Sequence, residues 1–227
     1  MDPAIRAVAA LEDDLRRGMY AFIRAARRPV TRDEAAAEVG ISRKLAAFHL
    51  DKLVTAGLLR AGYESARKVG RAPKVYEPTD DDITITIPRR QHDVLADILL
   101  DAVLTETPGE TATEATLRVA ATRGEQVGRT EREQGSAKGR LGAERALTLT
   151  QEVLARHGFE PARETRTCVR LRNCPFHPMA AKAPELVCGV NHRFVTGVLT
   201  GLRATSIEAT LAPRSGECCV ELNPAGH

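Results

Sequence analysis

The stretch that most constrains this chain runs from Val30 to Leu59, VTRDEAAAEVGISRKLAAFHLDKLVTAGLL. It reads as two helices joined by a tight turn. Thr31 is a natural N-cap, and Glu34 three residues on completes a capping box. Gly40 ends that helix as its C′ residue. Ser42 caps a second helix whose Ala46, Leu50, Leu53 and Gly57 recur on one face at helical spacing. Arg43, Lys44, Ala47 and Phe48 are left on the opposite, outward face. A helix that buries one stripe and shows basic residues at its N-terminus has the geometry of a DNA recognition helix. An ordinary helical hairpin with a solvated basic face shares that pattern, so the residues that follow must decide.

Arg60 to Tyr63 reads as a short strand, residues 64–71 as a polar, glycine-containing tip, and Lys74-Val75-Tyr76-Glu77, closed by Pro78, as a second strand. Arg67, Lys68, Arg71 and Lys74 put four positive charges on or beside the tip. Such a hairpin directly after a recognition helix is a wing, suited to phosphate or minor-groove contact. Charge agrees: residues 1–39 are net zero, residues 40–78 carry eight basic and three acidic side chains, and the remaining 149 residues are net −2. Positive charge confined to helix and wing points to double-stranded DNA. The expected contacts are Ser42, Arg43, Lys44, Ala47 and Phe48 from the helix and Arg67, Lys68, Arg71 and Lys74 from the wing. GISRKLAAFHLDKLVTAGLL followed by GRAPKVYEPT resembles the winged helix-turn-helix of ArsR-like bacterial transcriptional regulators, over roughly the first 80 residues.

The rest of the chain is that of a globular protein, 43% hydrophobic and 28% charged. No apolar run approaches the ~20 residues that cross a membrane. The N-terminal MDPAIRAVAALEDD is acidic where a signal peptide would be basic, so a cytoplasmic protein is expected. Five cysteines in a reducing compartment are then thiols or metal ligands rather than a disulfide framework.

Residues 3–27 are expected to form one helix, with Val8, Leu11, Leu15, Met19, Phe22 and Ala26 on a stripe and Pro29 as its stop. His49, beside Leu50, reads as a half-buried, hydrogen-bonded histidine. Ile83 to Ile87 alternates with threonine, as a short strand or extended linker, and the domain boundary is placed here. A helix over 88–105 has a wide apolar stripe: Val94, Leu95, Ile98, Leu99, Ala102 and Val103. It is either a dimer seam or the first core helix of the second domain; paired half-sites favour the seam. Helices over 113–133 and 141–157 follow, the first with Ala120, Gly124 and Gly128 at one-turn spacing, which allows close packing. Residues 159–163 and 167–173 are expected to form a hairpin by their spacing.

From Thr167 onward the cysteines dominate: TCVRLRNCPFHPMAAKAPELVCGVNHRF, and later SGECCVEL. Strand alternation puts Cys168 with Arg170 and Arg172 on a polar face, away from Val169 and Leu171. Cys174 sits in a proline-bounded turn. Pro184 is well placed to start a helix, on which Cys188 shares a stripe with Val195, Leu199 and Leu202. On a final strand Cys218 would face the core with Val220 and Leu222, and Cys219 the solvent with Glu217 and Glu221. Three thiols from three elements suit a thiolate-bound centre, and cysteine followed by proline is a recurring neighbourhood for iron–sulfur ligands. Paired C-x2-C knuckles of structural zinc are absent. Buried cysteines acting as small hydrophobes are the plain alternative.

RNCPFH, then ELVCG, then GECCV resembles the C-terminal half of the SUF-type iron–sulfur repressors and their actinobacterial relatives. The resemblance implies a winged helix followed by a cluster-binding domain with three cysteines, matching Cys174, Cys188 and one of Cys218 or Cys219. The fourth position is open to His177, Cys219 or an exogenous molecule. The order of elements is also loosely similar to the 4-vinyl-reductase-type ligand-binding fold.

The expectation is an α+β protein: residues 1–80 a winged helix-turn-helix, 81–112 a linker and dimerisation helix, 113–227 a cysteine-containing sensor domain. It would be a non-enzymatic, homodimeric repressor reading iron–sulfur status, the cofactor a four-iron–four-sulfur cluster, or redox status. Alternatives are a regulator binding a soft metal or arsenite through three thiolates, or another small ligand with no metal. A thiol enzyme with Cys174 as nucleophile and His177 as base lacks an orienting acid and an oxyanion hole.

Overall fold

A computed structural model describes residues 3–63, 72–135 and 141–226. The architecture is mixed α+β, and the chain divides into two compact units, Met1–Ile85 and Thr86–His227. Among the described residues no helix is long and apolar enough to cross a membrane.

The first unit runs α1 (Pro3–Ala10), α2 (Asp14–Ala26), β1 (Val30–Thr31), α3 (Arg32–Glu38), α4 (Arg43–Thr55), β2 (Leu59–Tyr63) and β3 (Lys74–Pro78). The single helix expected over 3–27 is broken at 11–13. Asp13 is the cause: its backbone is extended and its carboxylate accepts the Arg16 N–H at 2.9 Å, which starts a new helix. The stripe shifts accordingly, so that Met19 and Ile23 are buried while Val8 is exposed. The Thr31–Glu34 capping box is present in both directions, and Ser42 Oγ accepts the Leu45 N–H. Met19, Ile23, Ala46, Leu50, Leu53, Leu59 and Tyr76 form the core of this unit. The hairpin is joined by β1 in an antiparallel β1-β3-β2 sheet, with Ala61 opposite Tyr76 and Val30 on its other side. The two-residue β1 is too short to leave a pattern in the sequence. The expected wing residues Arg67, Lys68 and Arg71 lie outside the described residues.

The second unit runs α5 (His92–Leu104), α6 (Ala112–Gln134), α7 (Ala143–Arg156), β4 (Pro161–Arg163), β5 (Val169–Leu171), α8 (Met179–Lys182), α9 (Pro184–Leu202), β6 (Ile207–Leu211) and β7 (Val220–Pro224). Its four strands form an antiparallel sheet in the order β4-β5-β7-β6. Leu147, Leu154, Val169, Leu171, Val198 and Leu222 are among the residues that fill the core beside it.

Two long helices, α6 and α9, lie against each other with no side chain between them at four points. A Cβ on Gly124 or Gly128 would run into the carbonyls of Phe194 or Val198, and one on Gly197 or Gly201 into those of Ala121 or Glu125. The small-residue spacing read on α6 thus has its partner on α9.

Residues 83–87 form no strand, which leaves the extended linker of the two alternatives, and Ile87 is 88% exposed. The segment 81–112 does not stand apart as a region of its own: α5 buries Leu95, Ile98 and Ala102 against Ala115, Val119, Phe176 and Val187 of the second unit. The wide stripe nevertheless exceeds what that core consumes, leaving Leu100, Val103 and Leu104 exposed.

Candidate functional site

Three elements deliver four thiols to one place. Asn173, buried at the end of β5, donates its Nδ2–H to Arg89 O and Gly158 O and fixes the start of the following turn. Cys174 sits in that turn, its carbonyl accepting the His177 N–H at 3.2 Å. Cys188 comes from the first turns of α9, which starts at Pro184 as expected. Cys218 and Cys219 come from the segment just before β7.

That last pair corrects the parity expectation. β7 starts at Val220, and its register with β5 pairs Val169 with Leu222 and Arg170 with Glu221. Continued, this would place Cys218 opposite Asn173; instead the Cys218 N–H donates to Leu171 O at 2.9 Å. On the β6 side the register holds, with the Ala212 N–H donating to Cys219 O at 2.8 Å. The strand end is bulged on one side only, and a bulge re-aims neighbouring side chains. Both thiols therefore reach the same group, and both residues are buried, Cys219 included. Nor is the face of Cys219 wet: Arg170 beneath it is fully buried, bonded to Glu221 at 2.5 Å, Glu217 at 3.3 Å and Ala212 O at 3.0 Å.

The thiols neighbour one another: the single Cys218 proton can go to Cys174 or to Cys219, and that of Cys188 to Cys219. The donated Cys218 bond, helped by the Asn191 amide, the Phe176 N–H and the charge of Arg90, lowers the Cys174 thiol to about 6. Bonds from Cys218 and Cys188 lower Cys219 to about 7. Burial, then its bond to Cys219, pushes Cys188 up to about 12, and the neighbouring Cys174 and Cys219 sulfurs, with burial, raise Cys218 as well. An all-sulfur donor set is soft, and thiols release protons when they bind a metal.

Asn191 completes the floor. It is fully buried on α9, its Nδ2 donates to Cys174 Sγ at 3.4 Å, and its Oδ1 has no partner among the described residues. It lies three residues after Cys188, hence on the same helix face, and a lone Asn on an apolar stripe was the signal available in the sequence. Cys168 lies elsewhere, facing Glu221 and Glu164, and burial raises its thiol. His177 is exposed and lines the cavity of about 410 Å³ that opens onto Cys174, Cys188 and Cys219. Among the described residues no group of three or more His, Cys, Asp or Glu side chains is placed to hold a metal ion.

In the first unit, α4 presents Lys44 and Phe48 outward, Phe48 with Lys52 Nζ above its ring at 5.5 Å. Arg43 is tethered by its Nε to Asp33 at 2.7 Å, and Lys74 by its Nζ to Asp51 at 2.9 Å. Ser42 spends its hydroxyl on the helix cap and Ala47 is half-buried. Arg43, Tyr63 and Lys74 line a hollow of about 450 Å³ between the helix start and the hairpin. His49 is more buried than expected, 7% exposed, with Nδ1 3.8 Å from Asp13 and no hydrogen-bond partner among the described residues.

No protein-family model, curated protein or solved structure matches the chain.

Proposed function

We propose that the chain is a winged helix-turn-helix transcriptional regulator, a repressor, whose second unit senses iron–sulfur or redox status through Cys174, Cys188, Cys218 and Cys219. The observation that carries the sensor half is the meeting of these four thiols beside a cavity. The donor set fits an iron–sulfur cluster, which takes cysteinate ligands, and the cavity provides room. When bound, the cluster would supply redox chemistry; the chain's own part is to hold the four sulfurs, with Asn191 and Arg90 steadying Cys174. Cys219 is the proposed fourth ligand. A single soft ion or arsenite is the second reading, since thiolates are the ligands that soft centres select.

Anaerobic purification with iron and sulfide analysis tests this. A brown protein with matching iron and sulfide is expected, and serine at 174, 188 or 218 should lose the chromophore after reconstitution while Cys168→Ser keeps it. A colourless parent after full reconstitution sinks the cluster; stoichiometric binding of a thiophilic ion by that colourless protein would establish the second reading.

The DNA half is supported by the α3–α4 pair, the hairpin behind it and the local charge of +5 over residues 40–78. Regulation through paired half-sites calls for a homodimer, and Leu100, Val103 and Leu104 on α5 are exposed apolar residues available for its seam. Arg43→Ala and Lys44→Ala should each weaken binding to a selected operator, by ~1–3 kcal/mol where a base contact is lost. Gel shifts with light scattering check both points: unaltered affinity in both variants removes the recognition-helix assignment, and a monomeric complex removes the dimer.

A further inference from the structure

We infer that the cavity over the thiols is a binding site for a small polyanion, a multiply charged carboxylate or phosphate. The inference deepens the sensor reading and rests on it for its consequence, since such an anion covers the thiols proposed as ligands.

The chemistry of the walls points this way. Arg90, Arg172, Arg214 and His177 line the cavity, against a single carboxylate, Glu217. That carboxylate is committed to Arg170, as is Glu221, while Glu164 pairs with Arg214. Arg172 is exposed and, among the described residues, has no ion-pair partner. Arg90 is built in rather than adrift: its Nη1 donates to Cys174 O at 2.7 Å and to Asn173 Oδ1, and Asn173 is itself buried. A fixed guanidinium, a second with no ion-pair partner among the described residues and a third in the same lining offer planar donor forks, which carboxylates and phosphates accept in pairs of hydrogen bonds. The volume of about 410 Å³ is within the ~300–1,000 Å³ of small-molecule sites. The floor is Cys174, Cys188 and Cys219, so an anion seated on the arginines stands between these sulfurs and the solvent.

The test uses the full-length, cluster-free chain under reducing conditions, titrated with citrate and with inorganic phosphate at constant ionic strength. Saturable binding of at least one is expected, and the better of the two identifies carboxylate or phosphate. At about ten times the Kd, N-ethylmaleimide should modify Cys174 and Cys219 roughly tenfold more slowly, while Cys168 reacts at its unliganded rate. Arg172→Gln should weaken binding by about tenfold or more, as loss of a charged hydrogen bond does; Arg145→Gln, an exposed charge outside the cavity, should not. Arg214→Gln provides a second rim variant. Absence of saturable binding, binding indifferent to both rim variants, or equal protection of Cys168 would overturn the inference. Iron and sulfide content is read separately: a chain that assembles a cluster but binds neither anion refutes the polyanion site alone, and one that binds anion but assembles nothing refutes the cluster alone.

Discussion

Gly197→Ala should destabilise the second unit by about 3 kcal/mol, the upper end for an overpacked core, and lower its Tm by roughly 10 °C. In an ordinary helix interior the same change gains ~1 kcal/mol. Here the added Cβ would stand 2.8 Å from Glu125 N and nearer still to Ala121 O. Both are backbone atoms of α6, which cannot rotate away as a side chain can. Gly201→Ala meets Glu125 O and Gly124→Ala meets Phe194 O in the same way, so these variants should behave alike. Gly189→Ala is the control on the same helix: it meets only the end of the Leu117 side chain and should stay within about 1 kcal/mol of the parent. Urea melts followed by circular dichroism decide the matter. A stabilised Gly197→Ala would mean that α6 and α9 are not in backbone contact.

Arg170→Ala is expected to cost ~3–5 kcal/mol, as does removal of one partner from a buried ion pair. Its guanidinium is fully buried and holds Glu217, Glu221 and the Ala212 carbonyl; without it, charges remain with nothing opposite. Two readouts separate this from plain loss of volume. Asn223 and then Arg170 hold the Glu221 carboxyl below its ordinary 4.5. A depressed carboxyl contributes stability that is complete above 4.5 and lost as the pH falls through the folded-state value, so the parent should weaken below about pH 4.5 and Arg170→Ala should do so less steeply. The second readout is the thiol group. Arg170 ties down residues 212 and 217 on either side of the segment leading to Cys218, so the variant should also show faster alkylation of Cys218 and Cys219. A variant with parental stability and parental alkylation rates would show that Arg170 anchors nothing.

What was legible in the sequence was what local chemistry decides. The capping box at Thr31 and Glu34, the cap at Ser42, the strand ending at Pro78 and the helix starting at Pro184 are each set by a few adjacent residues, and each lies where its residues place it. The convergence of Cys174 and Cys188 with the 218–219 pair was legible too, because strand ends and helix faces have fixed directions. What failed was the extension of regular geometry past the end of an element. Period-two alternation assumes an unbroken ladder, and the ladder slips at Cys218. Helical periodicity through Leu11 and Leu15 assumes continuity, and the Asp13 carboxylate breaks it. Arg170 read as a surface residue because its two carboxylates stand 47 and 51 residues further along the chain, beyond any local pattern. Arg90, Asn173 and Asn191 were missed for the same reason: their roles are defined by Cys174, not by their sequence neighbours.

The carbonyls seated in the glycine gaps have a mechanical meaning. With backbone lodged against backbone at Gly124, Gly128, Gly197 and Gly201, neither α6 nor α9 can roll or slide by a fraction of a residue without collision. Cys188 and Asn191 ride on α9, so half of the thiol site is bolted to a beam. Cys218 and Cys219 sit on the bulged segment before β7, which is packed in the core and tied by the Leu171 and Ala212 hydrogen bonds and the Arg170 carboxylate pairs. Any adjustment of the site to a ligand is therefore expected to fall on the segment between β6 and β7, because the helix that carries Cys188 is held backbone to backbone.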